Sequence, residues 1–182
     1  LRTTILAGSV THGAMKTSDT EVVHTGFGEI VVGNWKSYSD ETVLKHLKTS
    51  SSFPIIISND ITYILKRKLL VNLVINPLTA LYGVRNGELL TNIYFQENAK
   101  KVFLEGIRAL NMDESEWDYV VQVMELTSEN ESSMLRDIKH GRRTEIDAIT
   151  GYVLHKGKEK GLSLPYVSFL HRSIIGLERR EV

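Results

Sequence analysis

Near residue 60 the apolar residues change their spacing, from short β-branched runs to the three- and four-residue periodicity of helices, which then holds almost to the C-terminus. Such a chain is expected to hold two architectures in series. Before the change, residues 2–7, 21–24, 29–32 and 54–58 read as strands bounded by Gly, Ser, Thr or Asn. Between the last two, residues 38–48 read as a helix capped by Asp40, with Val43, Leu44 and Leu47 on one side. Strand, helix and strand in that order suggest the end of an α/β layer. After the change, residues 60–82 read as one apolar helix or a pair kinked at Pro77, and residues 96–110 as a second helix. Asp113-Glu-Ser-Glu opens the next with a capping-box pattern, and Val120 to Leu126 make it apolar. Helices at 132–140 and 144–160 end at Gly141 and Gly161, and Pro165 opens a last one to about residue 177. The expected class is α+β, with domains at 1–59 and 60–182.

Charge narrows the partners. Twenty-two Lys and Arg against 22 Asp and Glu give no net charge, which removes the electrostatic case for a nucleic-acid or anionic-membrane binder. Without cysteine there is no disulfide framework, thiolate metal site or cysteine nucleophile. The apolar run 69–75 is interrupted by Asn72 and is far shorter than the roughly 18 residues of a membrane span. Leu1 leads almost directly into an apolar, β-branched segment with no signal-peptide pattern before it, so the chain is expected to begin in the middle of a fold.

The segment most suggestive of chemistry is Lys68-Leu-Leu-Val-Asn72-Leu-Val-Ile-Asn76-Pro-Leu-Thr79. Lys68, Asn72 and Asn76 recur every four residues and so form a narrow polar stripe on an otherwise apolar helix. A buried amide or ammonium without a partner costs on the order of 1–3 kcal/mol, so the stripe calls for polar partners from protein, water or ligand. The plain alternative is that Lys68 reaches solvent and the asparagines satisfy helix ends near Pro77. Asn130 and Ser133, three residues apart, are expected on one helix face, and Glu145 in the first turn of the following helix, where a carboxylate suits the backbone dipole. Capping alone explains these two clusters as well. Gly26-Phe-Gly28 with Gly33 lacks the spacing of a dinucleotide-binding loop and reads as hairpin turn residues. The six histidines include no pair at helical metal-ligand spacing, so no metal is expected.

Taken together, the Lys68 to Leu81 stripe, Asn86-Gly87-Glu88-Leu89, the run from Asn130 through Ser133 to Asp137, and Arg143-Thr-Glu145-Ile-Asp147 resemble the ketopantoate reductase (2-dehydropantoate 2-reductase) family. Thr11-His12-Gly13-Ala14 and Val23-His24-Thr25-Gly26 resemble the end of that family's nucleotide-binding domain. The resemblance implies a Rossmann-type α/β domain binding NADPH, of which this chain holds the terminal part. It further implies an all-α domain resembling the C-terminal domain of 6-phosphogluconate dehydrogenase, and an active site in the cleft between the two. The reaction implied is reduction of 2-dehydropantoate to pantoate on the cytoplasmic route to pantothenate and coenzyme A. The family's glycine-rich fingerprint is missing from these residues, and Thr150 stands where many relatives have Asn. Carried over residue by residue, Lys68 is the general acid, Asn72, Asn76, Asn130 and Ser133 hold the substrate, and Glu145 contacts the nicotinamide ribose of NADPH or orients Lys68. The implied partners are a small 2-oxoacid and, as a candidate assembly, a second copy docked through the helical domain, with no nucleic acid and no membrane. Two other readings stand beside this one: a paralogue reducing a different 2-oxoacid, and a non-catalytic helical interaction module.

Overall fold

A computed structural model describes residues 5–36, 43, 46, 47 and 53–179. The chain divides into two compact units, Leu1–Lys68 and Leu69–Val182. The division falls inside the first long helix, nine residues past the expected boundary at residue 59.

In the first unit β1 (Ile5–Val10) lies antiparallel to β4 (Ile30–Lys36), which pairs in parallel with β5 (Ile55–Ser58). The parallel register runs from Ile30 opposite Ile55 to Gly33 opposite Ser58. Parallel neighbours need a crossover, which is what a strand, helix and strand provide. The helix expected at 38–48 lies outside the described residues except at Val43, His46 and Leu47, which are helical. A separate ladder joins β2 (Gly13–Lys16) to β3 (Val22–Gly26). Sequence reading passed over β2, because Gly-Ala-Met-Lys carries no β-branched residue. The stretch around Gly26 and Gly28 is not a hairpin turn, since β3 and β4 belong to different ladders and this segment carries the chain between them. Gly28 is required there by proximity: a Cβ would stand 2.4 Å from the carbonyl carbon of Thr11. Gly33 is tighter in consequence, because a Cβ would meet the Ser58 carbonyl oxygen at 2.6 Å and the buried Ile61 Cβ at 2.8 Å. Gly33→Ala is expected to destabilise the first unit by about 1–3 kcal/mol, the usual range for overpacking, measured as a lowered unfolding midpoint in urea.

Helix α1 (Ile61–Tyr82) starts at Asp60, whose carboxylate accepts the Tyr63 amide at 2.9 Å. It runs unbroken through Pro77, so of the two expected forms residues 61–82 take that of a single helix. Leu70, Leu73, Val74, Ile75 and Leu78 are all buried, and a helix apolar all round is stable only when neighbours cover it. Those neighbours include α3 (Ile93–Leu110), which follows the short α2 (Glu88–Thr91). Helix α3 begins three residues earlier than expected because the Asn92 side chain accepts the Tyr94 amide, and Asn111 closes it in the left-handed conformation at φ 52°. Helix α4 (Glu116–Leu126) is preceded by Asp113, whose carboxylate accepts the Ser115 amide at 2.9 Å. That backbone bond, with a second from the Ser115 hydroxyl, holds the Asp113 carboxyl below its ordinary range.

Helix α5 (Ser133–Lys139) leads through Gly141 to a π-helical turn, Asp147–Gly151, which continues into α6 (Tyr152–Glu159). Helix α7 (Pro165–Glu178) closes the unit. Leu70, Phe103, Val153, Val167 and Ile174, each fully or almost fully buried, belong to one continuous core. Buried Glu105 of α3 caps α7 from outside that helix, accepting the Tyr166 and Val167 amides at 3.1 and 2.9 Å. The α+β class therefore holds, as a small mixed sheet followed by a helical unit.

Candidate functional site

Lys68 is exposed at the end of the first unit, and its Nζ donates to the Val10 carbonyl at 2.7 Å. An ammonium carries three donors, so this bond fixes the head group and leaves two N–H groups for a ligand. One and two turns onward, in the second unit, Asn72 is half-buried and Asn76 is 8% exposed. Neither side-chain amide hydrogen-bonds to a described residue. The reading of Asn76 as a helix-end residue fails, because α1 continues for six residues beyond it.

The N-terminus of α5 lies against this part of α1 through a contact that sequence reading missed. The hydroxyls of Thr79 and Ser132, both buried, are 2.7 Å apart. Thr79 Oγ1 also donates to the Ile75 carbonyl at 2.8 Å, and Ser132 Oγ accepts the Leu135 amide as the N-cap of α5. Ser133 is therefore the first residue of α5 and is exposed. Asn130 lies before the cap, in the turn after α4, so Asn130 and Ser133 do not share a helix face as expected. The Asn130 carbonyl instead accepts the Asn86 amide at 3.0 Å, leaving its exposed side chain without a protein partner among the described residues. Beside it Glu131 pairs with Lys139, and that hydrogen bond keeps the Glu131 carboxyl below the usual range.

Glu145 is not in the first turn of a regular α-helix. Its carbonyl accepts the Ile149 amide at 3.1 Å, and the π-helical turn follows directly. Its carboxylate is exposed and makes no hydrogen bond or ion pair with a described residue. The flanking charges are engaged: Arg143 with Asp147 at 3.1 Å, and Arg142 with Asp137 at 3.0 Å. The π turn had no signal in the sequence beyond Thr150, whose hydroxyl donates to the Ile146 carbonyl at 2.9 Å and supports the widened turn. Among the described residues no three His, Asp or Glu side chains are grouped as metal ligands would be.

The second unit thus presents two unpaired amides on a buried helix, and a helix N-terminus bearing a free hydroxyl. It also carries the exposed Glu145 carboxylate just ahead of the π-helical turn. The first unit presents an anchored ammonium. These are groups that bind carbonyl, hydroxyl and carboxylate functions and donate a proton, and none of them is a nucleophile of the activated kind.

The profile described as "Ketopantoate reductase PanE/ApbA C terminal" matches residues 60–178. The 2-dehydropantoate 2-reductase of Bacillus subtilis is 43% identical over 96% of this chain and 60% of its own length. That of Vibrio cholerae is 36% identical over 96% of this chain and 61% of its own. The chain therefore spans about 60% of the length of the curated relatives it matches. Among solved structures, a probable 2-dehydropantoate 2-reductase from Bacillus subtilis superposes with a TM-score of 0.88 at 42% identity, over 96% of this chain and 61% of that one. A D-mandelate dehydrogenase in complex with NADH superposes with a TM-score of 0.86 at 25% identity, over 95% of this chain and 62% of that one. With the family profile covering the last strand-to-helix junction and nearly the whole helical unit, the chain belongs to the ketopantoate reductase family, whose C-terminal domain its residues 60–178 form.

Proposed function

We propose that this chain is the proton-donating and substrate-holding part of an NADPH-dependent reductase that converts 2-dehydropantoate to pantoate. The observation that carries the reading is the pair Asn72 and Asn76. The Asn72 and Asn76 side-chain amides, one half-buried and one 8% exposed, bond to no described residue and stand one and two turns beyond an ammonium on the same helix, so they are free to take ligand groups. A 2-oxoacid bearing a hydroxyl supplies what they lack, since its carboxylate accepts and its hydroxyl donates. The cofactor supplies the hydride that adds to the ketone carbon, and the π electron pair of the carbonyl then resides on oxygen. Lys68 polarises that oxygen beforehand and gives it a proton from Nζ, while its bond to Val10 holds the ammonium in place. Ser133 and Asn130 add donors from the α5 side. Glu145, an exposed carboxylate without a partner among the described residues, fits a pair of ribose hydroxyls.

A second reading, reduction of a different 2-oxoacid with NADH, is favoured by the superposition on D-mandelate dehydrogenase with NADH. The deciding assay is steady-state turnover by the full-length enzyme with 2-dehydropantoate and with other branched and aromatic 2-oxoacids, each with NADPH and with NADH. The first reading expects the highest kcat/KM for 2-dehydropantoate with NADPH. A clear preference for an aromatic 2-oxoacid with NADH overturns it in favour of the second. Within the same assay Asn72→Ala is expected to raise KM for the oxoacid by about 3- to 12-fold with little change in kcat, the loss of one or so hydrogen bonds made equally in ground and transition states. A homodimer through the helical unit and a cytoplasmic location belong to the same proposal. The first is supported by the exposed Ile93, Tyr94, Leu126 and Phe169 of that unit, the second by the biosynthetic route the reaction would serve.

A further inference from the structure

Glu145 sits between two residues that α7 holds, and the holding side chains are seven positions apart on that helix. Two turns separate His171 from Glu178, so the two share one face about 10 Å apart along the axis. Glu178 grips the near side: its Oε1 accepts both the backbone amide of Thr144 at 2.7 Å and the Thr144 hydroxyl at 2.6 Å. The Thr144 oxygen in turn accepts the Ile146 amide at 3.2 Å. His171 grips the far side, with Nδ1 2.8 Å from the Thr150 hydroxyl. That hydroxyl has one hydrogen, and it points to the Ile146 carbonyl, which can only accept. With that hydrogen on the carbonyl, the hydrogen between Thr150 and His171 is the imidazole's, in the tautomer protonated at Nδ1. Both grips converge on Ile146, the residue directly after Glu145.

The widened turn between them gives the arrangement its purpose. A π-helical turn interrupts the regular ladder and often marks a functional position. Here the Thr150 hydroxyl adds a side-chain bond to the Ile146 carbonyl at 2.9 Å, and Thr150 is fully buried. The ring lies beside Gly151, where a Cβ would stand 3.5 Å from the His171 Cε1, an ordinary contact. The other ring nitrogen, Nε2, faces the exposed Asp147 at 3.9 Å, a carboxylate already engaged by Arg143.

We infer that His171 and Thr150 are positioning residues: with Glu178 they fix the register of the π-helical turn and so the direction in which the Glu145 carboxylate projects toward the nicotinamide ribose. The inference rests on the reading of Glu145 as the ribose contact. The readout is the Kd of NADPH for the full-length enzyme, measured by calorimetry without oxoacid. His171→Leu and Thr150→Val, which keep bulk and lose the bond, are each expected to weaken NADPH about 3- to 10-fold, the worth of one hydrogen bond. His171→Asn, whose side-chain N–H can reach the same hydroxyl, is expected to restore the affinity to within about twofold. Made in a Glu145→Ala background, His171→Leu should add nothing, because the group it positions is gone.

A loss of affinity that persists in full in the Glu145→Ala background overturns the inference, since His171 then acts through general packing. An unchanged Kd in both His171→Leu and Thr150→Val overturns it as well, with Thr150→Val as the safeguard if the histidine variant does not fold. If Glu145→Ala itself leaves NADPH affinity unchanged, the ribose contact fails and the positioning role fails with it, a result told apart from the others by that single variant.

Discussion

Lys68→Ala in the full-length enzyme is expected to lower kcat/KM for the oxoacid by about 10²- to 10⁴-fold, the usual contribution of a positioned general acid. Lys68 is the only charged group on the stripe, and Asn72 and Asn76 offer neutral hydrogen bonds that cannot supply a proton at neutral pH. The ammonium is already oriented by Val10, so the substrate oxygen meets a donor whose position costs no further ordering. Because the proton is needed only as negative charge grows on oxygen, the loss should appear mainly in kcat, with NADPH affinity much less affected. Near-full turnover with an unchanged pH profile would assign the proton to another group or to water, even with the family unchanged.

Glu105→Leu should have the largest effect on stability. Glu105 is 4% exposed and is the acceptor for two amides at the start of α7. A helix leaves its first amides without partners inside itself, and Pro165 at the first position removes only one of them. Leucine fills the space and strands the Tyr166 and Val167 N–H groups, each costing about 1–3 kcal/mol when buried, so a loss of about 2–5 kcal/mol is expected. Glu105→Gln keeps one acceptor oxygen and should lose about half as much. Urea unfolding followed by circular dichroism reads both, and equal losses for the two variants would show that packing, not capping, holds the helix there. The effect should reach the Glu145 region as well, since α7 carries His171 and Glu178.

The apolar period of α1 and α3 was legible because burial on helices imposes a three- and four-residue spacing whatever the helices pack against. The helix starts near Asp60 and Ser132 were legible as well, and in the structure each of these side chains accepts an amide three residues ahead, whereas Asp113, read as opening a capping box, accepts that of Ser115, two ahead. Lys68, Asn72 and Asn76 were found on spacing, and the family on the order of several such motifs. All of these signals are written within a few turns of chain. What failed was also local in form but decided at a distance. Residues 13–16 became a strand because residues 22–26 pair with them, not because of their own composition. For residues 60–82 the first of the two readings holds, one helix, with Pro77 kept inside α1 because a buried helix is held by its neighbours against the local loss of one hydrogen bond. Asn130 left the helix when Ser132 took the cap, and the turn that carries it is fixed by Asn86, more than forty residues away.

Sequence alone therefore determined the helical unit, the polar stripe and the family, because each depends on residue type and short spacing. Tertiary structure decided which polar groups stay unpaired and where Glu145 is held. Glu105 and α7, Thr79 and Ser132, and Glu178 and His171 on either side of Glu145 are pairs far apart along the chain, and hydrogen bonds between such residues exist only once the core has brought their helices together.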